Sequence, residues 1–214
     1  MEESFWRKRW RENMIGFHRD AVNPVLARYC EHFPEGGRVL VPLAGKSVDM
    51  TFVAERGHPV VGVELVESAV VDYYAERGVE PEQRGDGVYA GGGVELWARN
   101  IFDVGPDELG TFECIYDRAA LVALAPDQRP KYAEHLKGLL APGGRLLLVT
   151  FDYDQSEMSG PPHSVPRQEV ERHFGDLGTL ELLHGEDLIE KEPRFKAKGL
   201  SSFTQLVFLI ERQR

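Results

Sequence analysis

Residues 38–64, RVLVPLAGKSVDMTFVAERGHPVVGVE, restrict what this chain can fold into more than any other stretch. Residues 39–43 are too apolar for a half-exposed strand and predict one buried on both faces. Gly45 permits a tight turn into a helix carrying Met50, Phe52, Val53 and Ala54, and Gly57 closes that helix. A second buried strand, 60–63, ends at Glu64. Strand, turn, helix and strand in this order are half of a nucleotide-binding α/β unit, and an acid after the second strand accepts hydrogen bonds from both hydroxyls of a ribose. The plainer reading is an ordinary first crossover of an α/β enzyme with a surface Glu64.

The glycines narrow the ligand. One glycine stands where a dinucleotide loop needs GxGxxG, and position 40, which a GxxxxGK[ST] phosphate loop requires as glycine, is leucine. An adenosine without phosphates therefore fits better than a dinucleotide or nucleoside triphosphate.

A chain of 214 residues suits one domain with a large core, so residues 1–214 are expected to form a single domain, with 1–34 as a helical cover. The formal charge of −10 disfavours nonspecific binding to nucleic acid or anionic membranes. Cys30 and Cys114 give neither a disulfide framework nor a CxxC metal signature, which points to a reducing cytoplasm. No run of about 18 apolar residues marks a membrane span or signal segment. Nothing in the sequence calls for a second chain, and a monomer is expected.

Along the chain, Trp6 and Trp10 lie four apart and share a helical face, covering either the domain edge or a bound cofactor or aromatic substrate. Gly16 is expected to break this helix and leave Phe17 free to enter a pocket; His18 has no catalytic partner evident nearby. Asn23 and Pro24 begin a helix with Val25, Leu26 and Tyr29. Residues 68–76 predict another helix, 80–93 a glycine-rich charged loop, and 94–98 a less buried strand. Past that strand, Asn100 and Ile101 are placed to hydrogen-bond and stack against an adenine, or simply to pack the loop. Strand 112–116 leads to Asp117 and Arg118; Arg118 either orients an anion or holds a cofactor carboxylate, or pairs structurally with Asp117. Helix 127–140, strand 146–151, helix 166–174 and strands 179–183 and 202–210 complete a largely parallel α/β sheet, the last strand antiparallel at its edge. Residues 160–165, GPPHSV, predict a rigid loop suited to wall a substrate site, and 190–199 a charged loop. Asp152 and Asp154 lack the companions a cation site needs, and no metal is expected.

The set FWRKRW, NMIGFHRDAVNPVL, VLVPLAGKSVDMTFVAERGHPVVGVE, YDRAALVAL and FDYD followed by GPPHSV resembles thiopurine S-methyltransferases of the bacterial type, over residues 5 to about 209. Ala44 departs from the PLCGKS common among members, and methyl transfer does not require that cysteine. The resemblance implies a class I S-adenosylmethionine-dependent methyltransferase with a Rossmann-like, seven-stranded, mostly parallel sheet flanked by helices. It implies Trp10, Leu43, Glu64, Asn100, Ile101 and Arg118 as cofactor contacts, Phe17, Arg118 and Arg194 as substrate contacts, and Arg118 as the catalytic cation. The implied reaction is in-line attack of an aromatic thiolate on the sulfonium methyl, giving a thioether and S-adenosylhomocysteine, with Asp20 or a water as relay if a base is needed. Small thiols, halides and selenium or tellurium compounds are alternative acceptors, and a noncatalytic cofactor-binding module is the reading outside enzymology.

Overall fold

The computed structural model describes residues 3–214, so the first two residues of the expected cover lie outside the described residues. The chain divides into two compact units, Met1–Tyr116 and Asp117–Arg214, taken in turn.

In the first unit, helix α1 (Glu3–Arg11) ends earlier than Gly16 suggests. Asn13 takes the left-handed conformation (φ 52°), the Met14 N–H reaches the Arg9 carbonyl at 2.8 Å, and the Asn13 N–H reaches the Trp10 carbonyl at 3.0 Å. This is a helix-ending motif in which asparagine replaces the usual glycine, so Asn13 stops the helix. Helix α2 (Pro24–Tyr29) starts as expected: the Asn23 side chain accepts the Val25 N–H, and Pro24 occupies the first turn.

Strand β1 (Val39–Pro42), helix α3 (Asp49–Ala54), strand β2 (Val60–Glu64) and helix α4 (Glu67–Ala75) form the crossover read from the sequence. Every residue of β1 and β2 is buried, which explains their unbroken apolar runs. A Cβ at Gly62 would lie 2.4 Å from Leu96 and 2.9 Å from the Met50 sulfur, so glycine lets α3 settle close upon the sheet.

Residues 80–93 are not a loop but a hairpin. Strand β3 (Glu82–Gly85) pairs antiparallel with β4 (Val88–Gly91), and β4 pairs antiparallel with β5 (Val94–Ala98). The links are two-residue turns, Asp86-Gly87 and Gly92-Gly93; both glycines of the second have positive φ, 59° and 80°, as tight hairpins favour. Helix α5 (Pro106–Leu109) then leads to β6 (Phe112–Arg118). Within this unit the strand order is β3-β4-β5-β2-β1-β6, with β5, β2, β1 and β6 parallel.

The second unit contains a single 3-10 turn (Leu121–Ala123), helix α6 (Arg129–Leu139), strand β7 (Leu140–Asp152), helix α7 (Arg167–Phe174), strand β8 (Gly178–Asp187), helix α8 (Pro193–Lys196) and strand β9 (Thr204–Arg212). The last strand is antiparallel, as expected, but it lies between β7 and β8; the edge belongs to β8. Burial explains the order: Leu206, Val207, Phe208 and Ile210 of β9 are all buried, whereas β8 has no fully buried residue. Short α8 inside the charged loop seats Phe195 in a cluster with Tyr153, Ile189, Leu200 and Phe203. All seven strands read from the sequence are present, and the hairpin adds two.

Candidate active site

In the first unit the carboxylate of Glu64 is buried at the carboxyl end of β2. Its Oε2 accepts the Gly45 N–H at 2.8 Å and its Oε1 accepts the Val66 N–H at 2.9 Å. Burial pushes the Glu64 pKa up, opposed by the backbone N–H groups of Val66, Gly45 and Leu65 and, more weakly, by the charge of Arg7. Of about four acceptor directions on the carboxylate, the three backbone donors leave part free for a ligand hydroxyl.

The turn before it is held in an unusual shape. Leu43 has φ 48° and Gly45 φ 53°, and a Cβ on Gly45 would stand 3.1 Å from the Trp10 ring. Trp10 therefore lies over the turn that donates to Glu64. Phe17 is not free: its ring meets Trp6 and Trp10 edge-on, at 5.8 Å in each case. Asn100 caps the short turn Ile101–Asp103 by accepting the Phe102 N–H at 3.0 Å and donates to Glu3 of α1 at 2.8 Å. Ile101 is buried. The structure thus brings Trp10, Phe17 and Asn100 to α1 and its following turn, with Leu43 and Glu64 joined through the Gly45 turn.

Two features escaped the sequence reading. His18 does have a neighbour, the exposed Asp20 carboxylate at 3.2 Å. Its pKa is lowered, first by burial and then by the charge of Lys46, against the pull of Asp20. Asp49, the buried residue that opens α3, accepts the Asn23 N–H at 2.8 Å and the Tyr116 hydroxyl at 3.2 Å. An acid in the first turn of a helix is readable from sequence, but Asp49 caps nothing in α3, and its partners 26 and 67 residues away are not readable.

In the second unit Arg118 is half-buried at the carboxyl end of β6, next to fully buried Asp117. Arg194 is exposed on α8, where its Nε lies 3.0 Å from Glu192 and its guanidinium 4.6 Å from the Phe195 ring centre. The GPPHSV loop is fixed at many points. Pro162 accepts the Tyr153 hydroxyl at 2.7 Å, the His163 N–H reaches Val122 at 2.7 Å, and Ser164 receives buried Arg129 at 3.2 Å. Asp154 folds back on Ser156, accepting its N–H and its hydroxyl, and among the described residues no cluster of three His, Cys, Asp or Glu side chains is arranged to hold a metal.

The model of one protein family, thiopurine S-methyltransferase, matches residues 1–213. The chain belongs to the thiopurine S-methyltransferase family. Among relatives, the thiopurine S-methyltransferase of Bordetella petrii is 43% identical over 218 residues, covering 100% of both chains. That of Pseudomonas fluorescens is 43% identical over 215 residues, covering 98% of this chain and 99% of its own. Solved structures agree on the fold. The 1,6-didemethyltoxoflavin-N1-methyltransferase of Burkholderia thailandensis, solved with S-adenosylhomocysteine, superposes with a TM-score of 0.68 at 20% identity, over 99% of this chain and 87% of that one. A TehB-like methyltransferase from Corynebacterium glutamicum gives 0.59 at 16% identity, over 99% and 98%.

This thiopurine S-methyltransferase family member therefore has the class I, Rossmann-like fold and is an S-adenosylmethionine-dependent methyltransferase acting on thiols. Its own residues fit that cofactor: a buried carboxylate with acceptor capacity left over, beside a glycine turn against which Trp10 packs closely, suits a ribose that bears no phosphate.

Proposed function

We propose that the acceptors are aromatic or heterocyclic thiols of the thiopurine kind, methylated directly without a covalent enzyme intermediate. The observation that carries this reading is Phe17 held edge-on by Trp6 and Trp10, with Trp10 over the Gly45 turn. Trp10 beside the Glu64 turn, with Phe17 packed on it and Trp6 on Phe17, favours a flat acceptor over a small ion. Bound S-adenosylmethionine supplies an electrophilic sulfonium methyl, which a thiolate takes in line.

The chain's part is to bind, align and exclude water. Glu64 accepts the ribose hydroxyls, Leu43 and Gly45 shape the turn against it, and Trp10, Asn100 and Ile101 line the nucleoside. Phe17 packs on the acceptor ring. Arg118 orients the thiolate or the cofactor's carboxylate, and Arg194 is a further contact to the acceptor. Residues 1–214 act as one methyltransferase domain, a cytoplasmic monomer whose partners are small molecules.

The test is competition among 6-mercaptopurine, thiophenol, an aliphatic thiol, iodide, selenite and tellurite as acceptors. The reading expects kcat/KM highest for the two aromatic thiols. A higher value for any nonaromatic acceptor overturns it.

A further inference from the structure

Asp117 is completely buried at the end of β6, and the turn that follows it has an unusual backbone. Ala119 has φ 65°, a conformation that residues with a Cβ rarely adopt, and Arg118 lies between it and Asp117. The turn is held from one side chain. Asp117 Oδ1 accepts the Leu121 N–H at 3.1 Å, the Ala120 N–H also donates to this carboxylate, and Oδ2 accepts the hydroxyl of Tyr132 at 2.8 Å. Tyr132 comes from α6 and is itself fully buried.

We propose that Asp117 and Tyr132 are positioning residues for Arg118: the Tyr132 hydroxyl fixes the Asp117 carboxylate, and the carboxylate fixes the turn that aims Arg118. The inference rests on the reading of Arg118 given above. A carboxylate stripped of water and bound by three donors has one rotamer, and the strained Ala119 conformation persists because those bonds over-determine it. The titratable group facing Asp117 is Tyr132, Arg118 is the charged neighbour on its own strand, and the remaining donors are backbone. Burial pushes the Asp117 pKa up to about 6, so its carboxylate form is lost within a measurable pH range. When Asp117 is protonated its new donor must face the Tyr132 hydroxyl, which then accepts instead of donating, and the arrangement that fixes the carboxylate changes.

The experiment uses the full chain, with a nitro-substituted thiophenol that stays ionised across the pH range so that the acid limb reports the enzyme. Tyr132→Phe, Arg118→Ala and the double variant are compared for kcat, KM and pH profile. Tyr132→Phe is expected to lower kcat/KM roughly ten- to a hundredfold. Its acid limb moves to higher pH, because Asp117 has lost a donor that favours the carboxylate. In the Arg118→Ala background the same change should cost little more. Asp117→Asn, whose amide still accepts from Leu121 and donates to Tyr132, should lose the acid limb, and it serves if Tyr132→Phe does not fold. An impaired Arg118→Ala with a wild-type profile for Tyr132→Phe overturns the positioning role and leaves the reading of Arg118 intact. Fully additive losses also overturn it. Normal kinetics for Arg118→Ala overturn both.

Discussion

The Gly45 N–H donates to Glu64 Oε2 at 2.8 Å, tying the turn after the first strand to the acid that ends the second. Replacing Glu64 by alanine removes the proposed diol acceptor and leaves the N–H groups of Gly45 and Val66 without their carboxylate. Calorimetry should show S-adenosylmethionine affinity reduced about ten- to a hundredfold in the folded variant. In the wild-type protein the affinity should also fall on acidification, with a midpoint above the ordinary glutamate range, since burial raises this pKa and only the carboxylate offers both acceptors. An affinity insensitive to pH down to that range would contradict the assignment.

Phe17 joins Trp6 and Trp10 through two edge-on ring contacts. Phe17→Ala is expected to raise KM for aromatic thiols more than it lowers kcat, and to cost about 1 kcal/mol of stability through the lost ring contacts. Steady-state kinetics with thiophenol, together with urea denaturation, separate the two effects.

Asp117 gives a stability prediction with a definite sign. Its folded pKa, about 6, lies above the ordinary aspartate value of 3.8, so its favourable contribution is complete below the lower value and is lost as pH rises through the higher one. The difference corresponds to about 3 kcal/mol. Asp117→Asn should therefore gain on wild type between pH 4 and pH 7, measured by denaturant unfolding at each pH. A constant difference across that range would show that the buried acid does not titrate as described.

His18 and Asp20 address whether a protein base is needed. Asp20→Asn removes the exposed carboxylate 3.2 Å from His18, and the histidine, already below its ordinary pKa, should titrate lower still by NMR. Because a bound aromatic thiol ionises without help in this account, kcat/KM should change by less than about twofold. A loss of about a hundredfold would point to a proton relay through this pair.

How much of this was legible depends on what a residue touches. Buried β1 and β2 announce themselves by apolar runs, and Glu64 by its place after the second. The β3–β4 hairpin was missed because all of β3 is exposed and polar, although Asp86-Gly87 and Gly92-Gly93 are the turn signals that mark it. Gly16 drew attention as a helix stop, while Asn13 performs that role through hydrogen bonds that composition does not reveal. The amide of Asn100 and its place past a strand end are readable, but its partnership with Glu3 joins residues 97 apart. Position on a strand end is readable; which distant side chain meets it is set by packing.

The central claim is methyl transfer to an aromatic thiol by this chain. The most direct measurement incubates the wild-type protein with methyl-labelled S-adenosylmethionine and 6-mercaptopurine, and follows label in the thioether and the appearance of S-adenosylhomocysteine, with Arg118→Ala run beside it. The account predicts equal amounts of both products from wild type and roughly a hundredfold slower transfer from the variant. Wild-type protein that is folded, binds S-adenosylmethionine and yields no labelled thioether would contradict it.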